Sequence, residues 1–353
     1  MREPFRYESN IPRIIFGFGA ISNAAEELRQ LGCSRALVLS TPHQDNDARS
    51  LAKALGSLAV GVFSRAAMHT PVDVTTEALS LFKEIGADCV LSLGGGSTIG
   101  LGKAIAYRND TPQLVIATTY AGSEVTPILG QTENGVKTTV RGSSILPETV
   151  IYDPELTIDL PVKMSVTSGL NAMAHAVEGL YAQDRNPIAS MMAMEGIAAL
   201  QRALPAIVES PRDRTARADA LYGSWLCGVV LGAVGMALHH KLCHTLGGSF
   251  DLPHAETHAI LLPHTIAYTE QAVPELLAPV AQLFGASGAG TGLYDFALRI
   301  GAPMRLRDLG VTGEDLDKVA ALSVRNPYWN PRPLEVGAIR ALLQNAWEGV
   351  RPG

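Results

Sequence analysis

Four short apolar runs, RALVLST (35–41), SLAVGVF (57–63), DCVLSLGGG (88–96) and QLVIATT (113–119), recur at helix-sized intervals through the first half of this chain. Runs of that length, rich in Val, Leu and Ile, read as strands buried on both faces, which belong to parallel sheets. The stretches DARSLAKALG (47–56) and VTTEALSLFKEIG (74–86) carry apolar residues at helical spacing, the second ending on glycine. Strands alternating with helices predict right-handed βαβ units and a doubly wound, Rossmann-like sheet. ILGQTENGVKTTVRGSS (128–144) predicts a β-hairpin added to that sheet, turning at Asn134-Gly135. After TVIYDPEL (149–156) the texture becomes helical, rich in Ala, Leu, Met and Glu. Asp153-Pro154 is the expected boundary between an α/β dinucleotide-binding domain, 1–154, and an all-helical substrate domain, 155–353. A chain of 353 residues is in any case long for one core.

Composition removes several classes of function. With 47% hydrophobic and 18% charged residues the chain is a folding sequence, and its net charge of -6 argues against nucleic acid or an anionic membrane as partner. Small anionic substrates remain open, because a basic pocket can sit in an acidic protein. MREPFRYESN has no apolar core and does not read as a signal peptide. The apolar run Trp225–Leu238 is too short to span a bilayer. Cys33, Cys89, Cys227 and Cys243 show no C-x-x-C spacing, which fits a reducing cytoplasm. Cys243 reads as a packing residue.

VLSLGGGSTIGLGKAIA (90–106) is strand, glycine turn and helix. Gly94, Gly95 and Gly96 let backbone N–H groups approach a phosphate, Ser97 offers a further donor, and a helix N-terminus follows. The run matches neither G-x-G-x-x-G, since position 99 is isoleucine, nor a Walker A motif, since Gly102-Lys103 has the wrong surroundings. A plain tight turn explains it equally well on its own. The next strand leads into IATTYAGSEVTP (116–127), where Thr118, Thr119 and Ser123 suit a phosphate or sugar. Two such loops at successive strand ends point to NADH or NADPH. After the first strand, Thr41-Pro42-His43-Gln44 supplies no acid for a ribose 2′-hydroxyl, so both cofactors are expected to serve, with Thr41 lining the site.

HHKLCHTLGGSFDLPH (239–254) holds four of the nine histidines, and His258 and His264 follow closely. His240 and His244 share a helix face, and His254 is expected to arrive after a glycine turn and Pro253 and to fold back toward them. On SGLNAMAHAVEGLYA (168–182), His175 follows Asn171 by one turn. His175, His240 and His254 could form a three-histidine site, which an aspartate at 171 would complete for a metal. The neutral amide of Asn171 is a poor ligand for Fe²⁺ or Zn²⁺, and Glu178 lies nearly two turns away. A structural histidine network is the competing explanation.

These segments together resemble the iron-containing alcohol dehydrogenase superfamily, which also holds glycerol dehydrogenases. Within it TTYAGSEVTP, SGLNAMAHAVEGLYA, HHKLCHTLGG, LPHAETHAILLPH and NPYWNPRP are most similar to the maleylacetate reductases. Asn171 occupies the position of the metal-binding aspartate of the metal-dependent members, and TTYAGSE is one residue shorter than their TTAGTGSE. The resemblance implies NAD(P)H-dependent reduction of maleylacetate to 3-oxoadipate in aromatic and chloroaromatic degradation by a homodimer, and the two departures point to catalysis without a metal. Lys241 and protonated histidines would then stabilise the developing oxyanion and form a cationic pocket for the dianionic substrate. His244 is the expected proton donor, with His240 and His254 as alternatives and His175 beside them. Arg332 is a weaker candidate for a substrate carboxylate. The other readings are a metal-dependent alcohol or polyol dehydrogenase and a non-catalytic nucleotide-binding sensor.

Overall fold

The computed structural model describes residues 4–8, 12–325 and 328–353. It divides into two compact units, Asn10–Leu160 and Pro161–Gly353, the second including Met1–Ser9.

The first unit is α/β. Its strands are β1 (Arg13–Phe16), β2 (Ala36–Leu39), β3 (Ala59–Phe63), β4 (Cys89–Gly94), β5 (Gln113–Ala117), β6 (Ile128–Glu133), β7 (Val136–Arg141) and β8 (Thr149–Tyr152). Its helices are α1 (Ala24–Gln30), α2 (Asp45–Leu55), α3 (Val72–Glu84) and α4 (Gly96–Asn109). Six strands form a parallel sheet in the order β1-β8-β5-β4-β2-β3. Side chains alternate across it, as the strand period requires. Val38, Leu91, Leu114 and Ile151 join Leu28 of α1 and Leu51 of α2 on one face. Leu37, Leu39 and Val90 join Phe82 of α3 and Leu101 and Ile105 of α4 on the other. Helices on both faces make the sheet doubly wound.

The four strands expected from the apolar runs are present. β1 and β8, four residues each, were not anticipated. The hairpin forms at Asn134 (φ 50°) and Gly135 (φ 75°), where a two-residue turn between twisted strands needs both positive φ values. It does not extend the large sheet. β6 and β7 pair only with each other, apart from one bridge between Pro71 and Thr132, and Leu129 packs on Ala104 of α4. The α/β unit runs past Asp153-Pro154 to Leu160. The Asp153 carboxylate accepts the backbone N–H groups of Gly19, Ile21 and Glu155, which keeps the turn after β8 with the sheet.

The second unit is helical: α5 (Val162–Leu180), α6 (Pro187–Glu209), α7 (Arg214–Ala233), α8 (Leu238–Phe250), α9 (His254–Glu270), α10 (Pro274–Leu283), α11 (Ala289–Arg299), α12 (Asp315–Ser323) and α13 (Val336–Glu348). α5 is buried along most of its length and packs against α6, α7 and α9. Among the described residues α6 is the single helix long and apolar enough to cross a membrane. That segment lay outside the run at 225–238, and its Ala193, Ile197, Leu200 and Leu204 are buried, as on a core helix. One face of α8, with Leu238, Leu242, Cys243 and Leu246, enters a core shared with α9, α12 and α13. Cys243 is buried in that core, and its Sγ also lies 3.7 Å from His239 Nε2. The turn expected at the glycines before Pro253 does not form there: Gly247 and Gly248 stay inside α8, which ends at Phe250 and turns at Asp251 (φ 52°).

Candidate active site

In the α/β unit the chain runs from β2 outward to β3, then crosses back to place β4 on the other side of β2. The order of a doubly wound sheet reverses at that pair, and the crevice outside the carboxyl ends of such strands is where ligands bind in these folds. Thr41 and Gln44 follow β2, Gly94 ends β4, and Gly95, Gly96 and Ser97 follow it. Gly95 precedes the first residue of α4, so the amides at Gly96 and Ser97 belong to an open helix N-terminus.

The second loop lies against this turn. Thr118 N–H donates to the Gly94 carbonyl (3.1 Å), and Gln44 Nε2 donates to Thr118 Oγ1 (3.2 Å). A Cβ on Gly95 would sit 2.6 Å from Thr119 Cγ2 and 2.7 Å from its Oγ1. The φ of Gly95 is -96°, open to any residue, so glycine is required there by space and not by conformation. Ser123 opens a 3-10 turn, and its Oγ is buried without a partner among the described residues. The structure therefore brings Gly94–Ser97, Thr118 and Thr119 together and adds Gln44, which the sequence analysis passed over. Gly95→Val should lower NADH affinity by at least about tenfold while the protein stays folded, because Thr119 must give way under the branched side chain. Fluorescence titration with NADH, beside a circular dichroism spectrum, checks this; unchanged affinity would move the phosphate site elsewhere.

In the helical unit, α5 carries Asn171, His175 and Glu178, α8 carries His239, His240, Lys241 and His244, and α9 begins at His254 and carries His258. Their rings form one cluster. Centroids are 5.1 Å apart for His175 and His240, 5.0 Å for His240 and His258, and 4.3 Å for His254 and His258. His244 lies 6.1 Å from His240 and 6.3 Å from His254, stacked on the latter. His175, His239, His240 and His258 are buried, His254 and Lys241 are half-buried, and His244 is exposed.

Hydrogen bonds fix most of these rings. Ala237 precedes α8 and offers no side-chain cap, so the carboxylate of Glu178 takes that place from α5. It accepts His239 N–H (2.9 Å) and His240 N–H (3.4 Å), and it also accepts His240 Nδ1–H. Thr265 Oγ1 donates to the Leu261 carbonyl (3.0 Å) and so accepts from His239 Nδ1 (2.9 Å). His239 Nε2 then accepts from His258 Nδ1 (3.0 Å), which leaves the lone pair of His258 on Nε2. Glu178, His239 and His258 were not assigned these parts by the sequence analysis. The missing cap before α8 was the one local sign that a carboxylate had to come from elsewhere.

Charge follows burial. Burial pushes His175, His239 and His258 well below the ordinary imidazole range, and the neighbouring histidines add to the fall. His175 is therefore neutral and is not one of the protonated histidines expected of a cationic pocket. His264 stands edge-on to Tyr294 (6.1 Å), with burial pushing it down to about 4. The Lys241 ammonium lies over the Tyr328 ring, 5.6 Å from its centroid. Arg332 stacks on Tyr268 (3.9 Å) and donates to the Tyr268 carbonyl, which favours a structural arginine over a carboxylate anchor.

The atoms left to a metal in the cluster are imidazole nitrogens: His175 Nδ1, His240 Nε2 and His258 Nε2 are buried without a partner among the described residues. Among the described residues, three ligand atoms of His, Cys, Asp or Glu come within 4.8 Å of one another at His239–Cys243–His258 and at Cys33–Asp88–Cys89. Neither group contains His175, His240 or His254. The Glu178 carboxylate is engaged by α8, and the Asn171 amide oxygen is buried without a partner among the described residues.

The model for iron-containing alcohol dehydrogenases matches residues 12–154, and the model for the C-terminal part of that family matches residues 165–347. The chain belongs to the iron-containing alcohol dehydrogenase family. It is 69% identical to the maleylacetate reductase of Rhizobium sp. (strain MTP-10005) over 350 residues, 99% of each chain. The maleylacetate reductase of Burkholderia cepacia is 55% identical over 348 residues, again 99% of each. The crystal structure of maleylacetate reductase from Agrobacterium tumefaciens superposes with a TM-score of 0.96 at 67% identity, covering 99% of this chain and 100% of that one. The α/β unit followed by a helical unit is the fold of this family.

Proposed function

We propose that this family member reduces the carbon–carbon double bond of maleylacetate to give 3-oxoadipate, with NADH or NADPH as hydride donor. The observation that carries the reading is the identity of 69% to a maleylacetate reductase over 99% of both chains. The step belongs to aromatic and chloroaromatic degradation. A hydride adds to the carbon β to the ketone, the electron pair of the double bond moves onto the ketone oxygen as an enolate, and a proton then closes the α carbon.

The nucleotide is held by Gly94, Gly95, Gly96, Ser97, Thr118, Thr119 and Ser123, with Thr41 at the ribose end. No acid follows β2 before Asp45, which supports use of both cofactors. His244 delivers the proton, because an exposed imidazole is reloaded directly from water while the buried rings of His175, His239 and His258 are neutral. His240, oriented by Glu178, and Lys241 supply charge near the developing oxyanion, with His254 stacked on the donor. His175 packs under His240 as a neutral ring.

Catalysis proceeds without a metal, a reading supported by the neutral amide at 171 and by the engagement of Glu178 with α8 and His240. The same feature counts against a metal-dependent alcohol dehydrogenase. The acidic chain and its four buried, free cysteines support a cytoplasmic enzyme that binds neither membrane nor nucleic acid. A homodimer follows from the resemblance.

The test is oxidation of NADH and of NADPH by the purified protein with maleylacetate, before and after exhaustive chelation. Both cofactors should support turnover, with kcat/KM values within about two decades, and chelation should change neither rate. Activity that vanishes on chelation and returns with one metal would overturn the metal-free mechanism; no turnover with either cofactor would overturn the substrate.

A further inference from the structure

α4 begins at the glycine turn and carries Lys103 two turns later, where the side chain is 2% exposed. Its ammonium does not reach solvent. Nζ donates to the carbonyls of Ser123, Thr126 (2.8 Å) and Ile128 (3.0 Å) and lies 2.9 Å from Thr126 Oγ1. All four acceptors belong to the end of the second loop and the first residue of β6. The 3-10 turn Ser123–Val125 is the only regular structure between β5 and β6. Buried carbonyls need donors, and an ammonium is the one side-chain group that offers three hydrogens in all directions from a point charge.

Burial works against that charge and brings Lys103 down to about 7, so the ammonium depends on the partners gathered around it. Glu124, wholly buried, is the next residue to one of the acceptors, and its carboxylate supports the ammonium while burial opposes it. Tyr152 of β8 donates its hydroxyl to Glu124 (2.7 Å). The loop is thus held at both ends. Thr118 is bonded to Gly94 at the start, and Lys103 gathers residues 123–128 at the finish.

We propose that Lys103 is a positioning residue for the nucleotide, which it never touches: it fixes the second loop to the helix that starts at the glycine turn, so that Thr118, Thr119 and Ser123 are in place before the cofactor arrives. The inference rests on the reading of the two loops as the nucleotide site. Its physical content is preorganisation. Without the ammonium the loop must be ordered at the moment of binding, and affinity falls by that cost.

The experiment measures NADH affinity by fluorescence titration, and KM and kcat with maleylacetate, for wild type, Lys103→Met and Lys103→Ala. Lys103→Met should raise Kd and KM for NADH by about ten- to a hundredfold, while kcat at saturating NADH changes by less than about threefold. In Lys103→Ala, n-propylammonium replaces the deleted atoms and should restore much of the affinity, which a merely structural defect would not allow. Circular dichroism establishes that each variant is folded. If Lys103→Met does not fold, Thr126→Val carries the test by removing one acceptor, with an expected rise in Kd of about threefold or more. Wild-type affinity in a folded Lys103→Met, or in Thr126→Val when it carries the test, overturns the proposal. So does a joint loss of affinity and kcat with no rescue by the amine. A wild-type protein that does not bind NADH at all fails the nucleotide reading itself and the proposal with it.

Discussion

Replacing His244 by alanine should lower kcat/KM for maleylacetate by about two to four decades, the contribution of a positioned proton donor, and leave NADH affinity intact. The expectation follows from differences within one cluster. Burial keeps His175, His239 and His258 neutral, so none of them carries a proton to give at the start of a cycle. His244 is on the exposed end of the group, with His240 and His254 as its ring neighbours. Single-turnover measurements separate hydride transfer from the proton step. If His244→Ala retains near wild-type kcat/KM, the donor is another residue, and His240→Ala becomes the deciding variant.

A larger loss of stability is expected at Glu178. This fully buried carboxylate closes the first turn of α8 and orients His240 through Nδ1. Glu178→Ala strands the N–H groups of His239 and His240 and unpairs the imidazole, changes that together cost about 3–5 kcal/mol. Glu178→Gln keeps one acceptor oxygen and should cost less, but its amide N–H₂ would face donors. Urea unfolding measures the first effect as a shift in midpoint at constant slope, and kcat measures the displacement of His240. A Glu178→Ala protein with unchanged midpoint would mean that water caps α8 equally well.

The sequence exposed those features whose cause is local. β2 to β5 announce themselves because a strand buried on both faces must be apolar throughout, and Asn134-Gly135 because only a few residues accept two positive φ values. RIIF and TVIY were passed over since four residues carry too little pattern, and β1 and β8 become strands by pairing with each other across more than a hundred positions. The turn chemistry of the hairpin says that two strands meet and nothing about a third, so its separation from the large sheet could not be read. Spacing placed His240 and His244 on one face. Which imidazoles stay neutral depends on burial, and the second task of Glu178 depends on the approach of α5 to α8. No window of sequence contains either.

The pairing of β1 with β8 also bears on how the protein is made. A ribosome releases residues 13–16 long before residues 149–152, and β8 is the strand that lies between β1 and the rest of the sheet. β2, β3, β4 and β5 can assemble as they emerge, but β1 waits for β8. Throughout that interval its backbone edge is open, and Phe16 and Phe18, still 41% and 43% exposed in the finished fold, are uncovered. An unpaired edge is a template for stray association, and a strand of only four residues opening on Arg13 is a short and charged one. Translation that stops before Thr149 leaves β1 without its partner in the sheet.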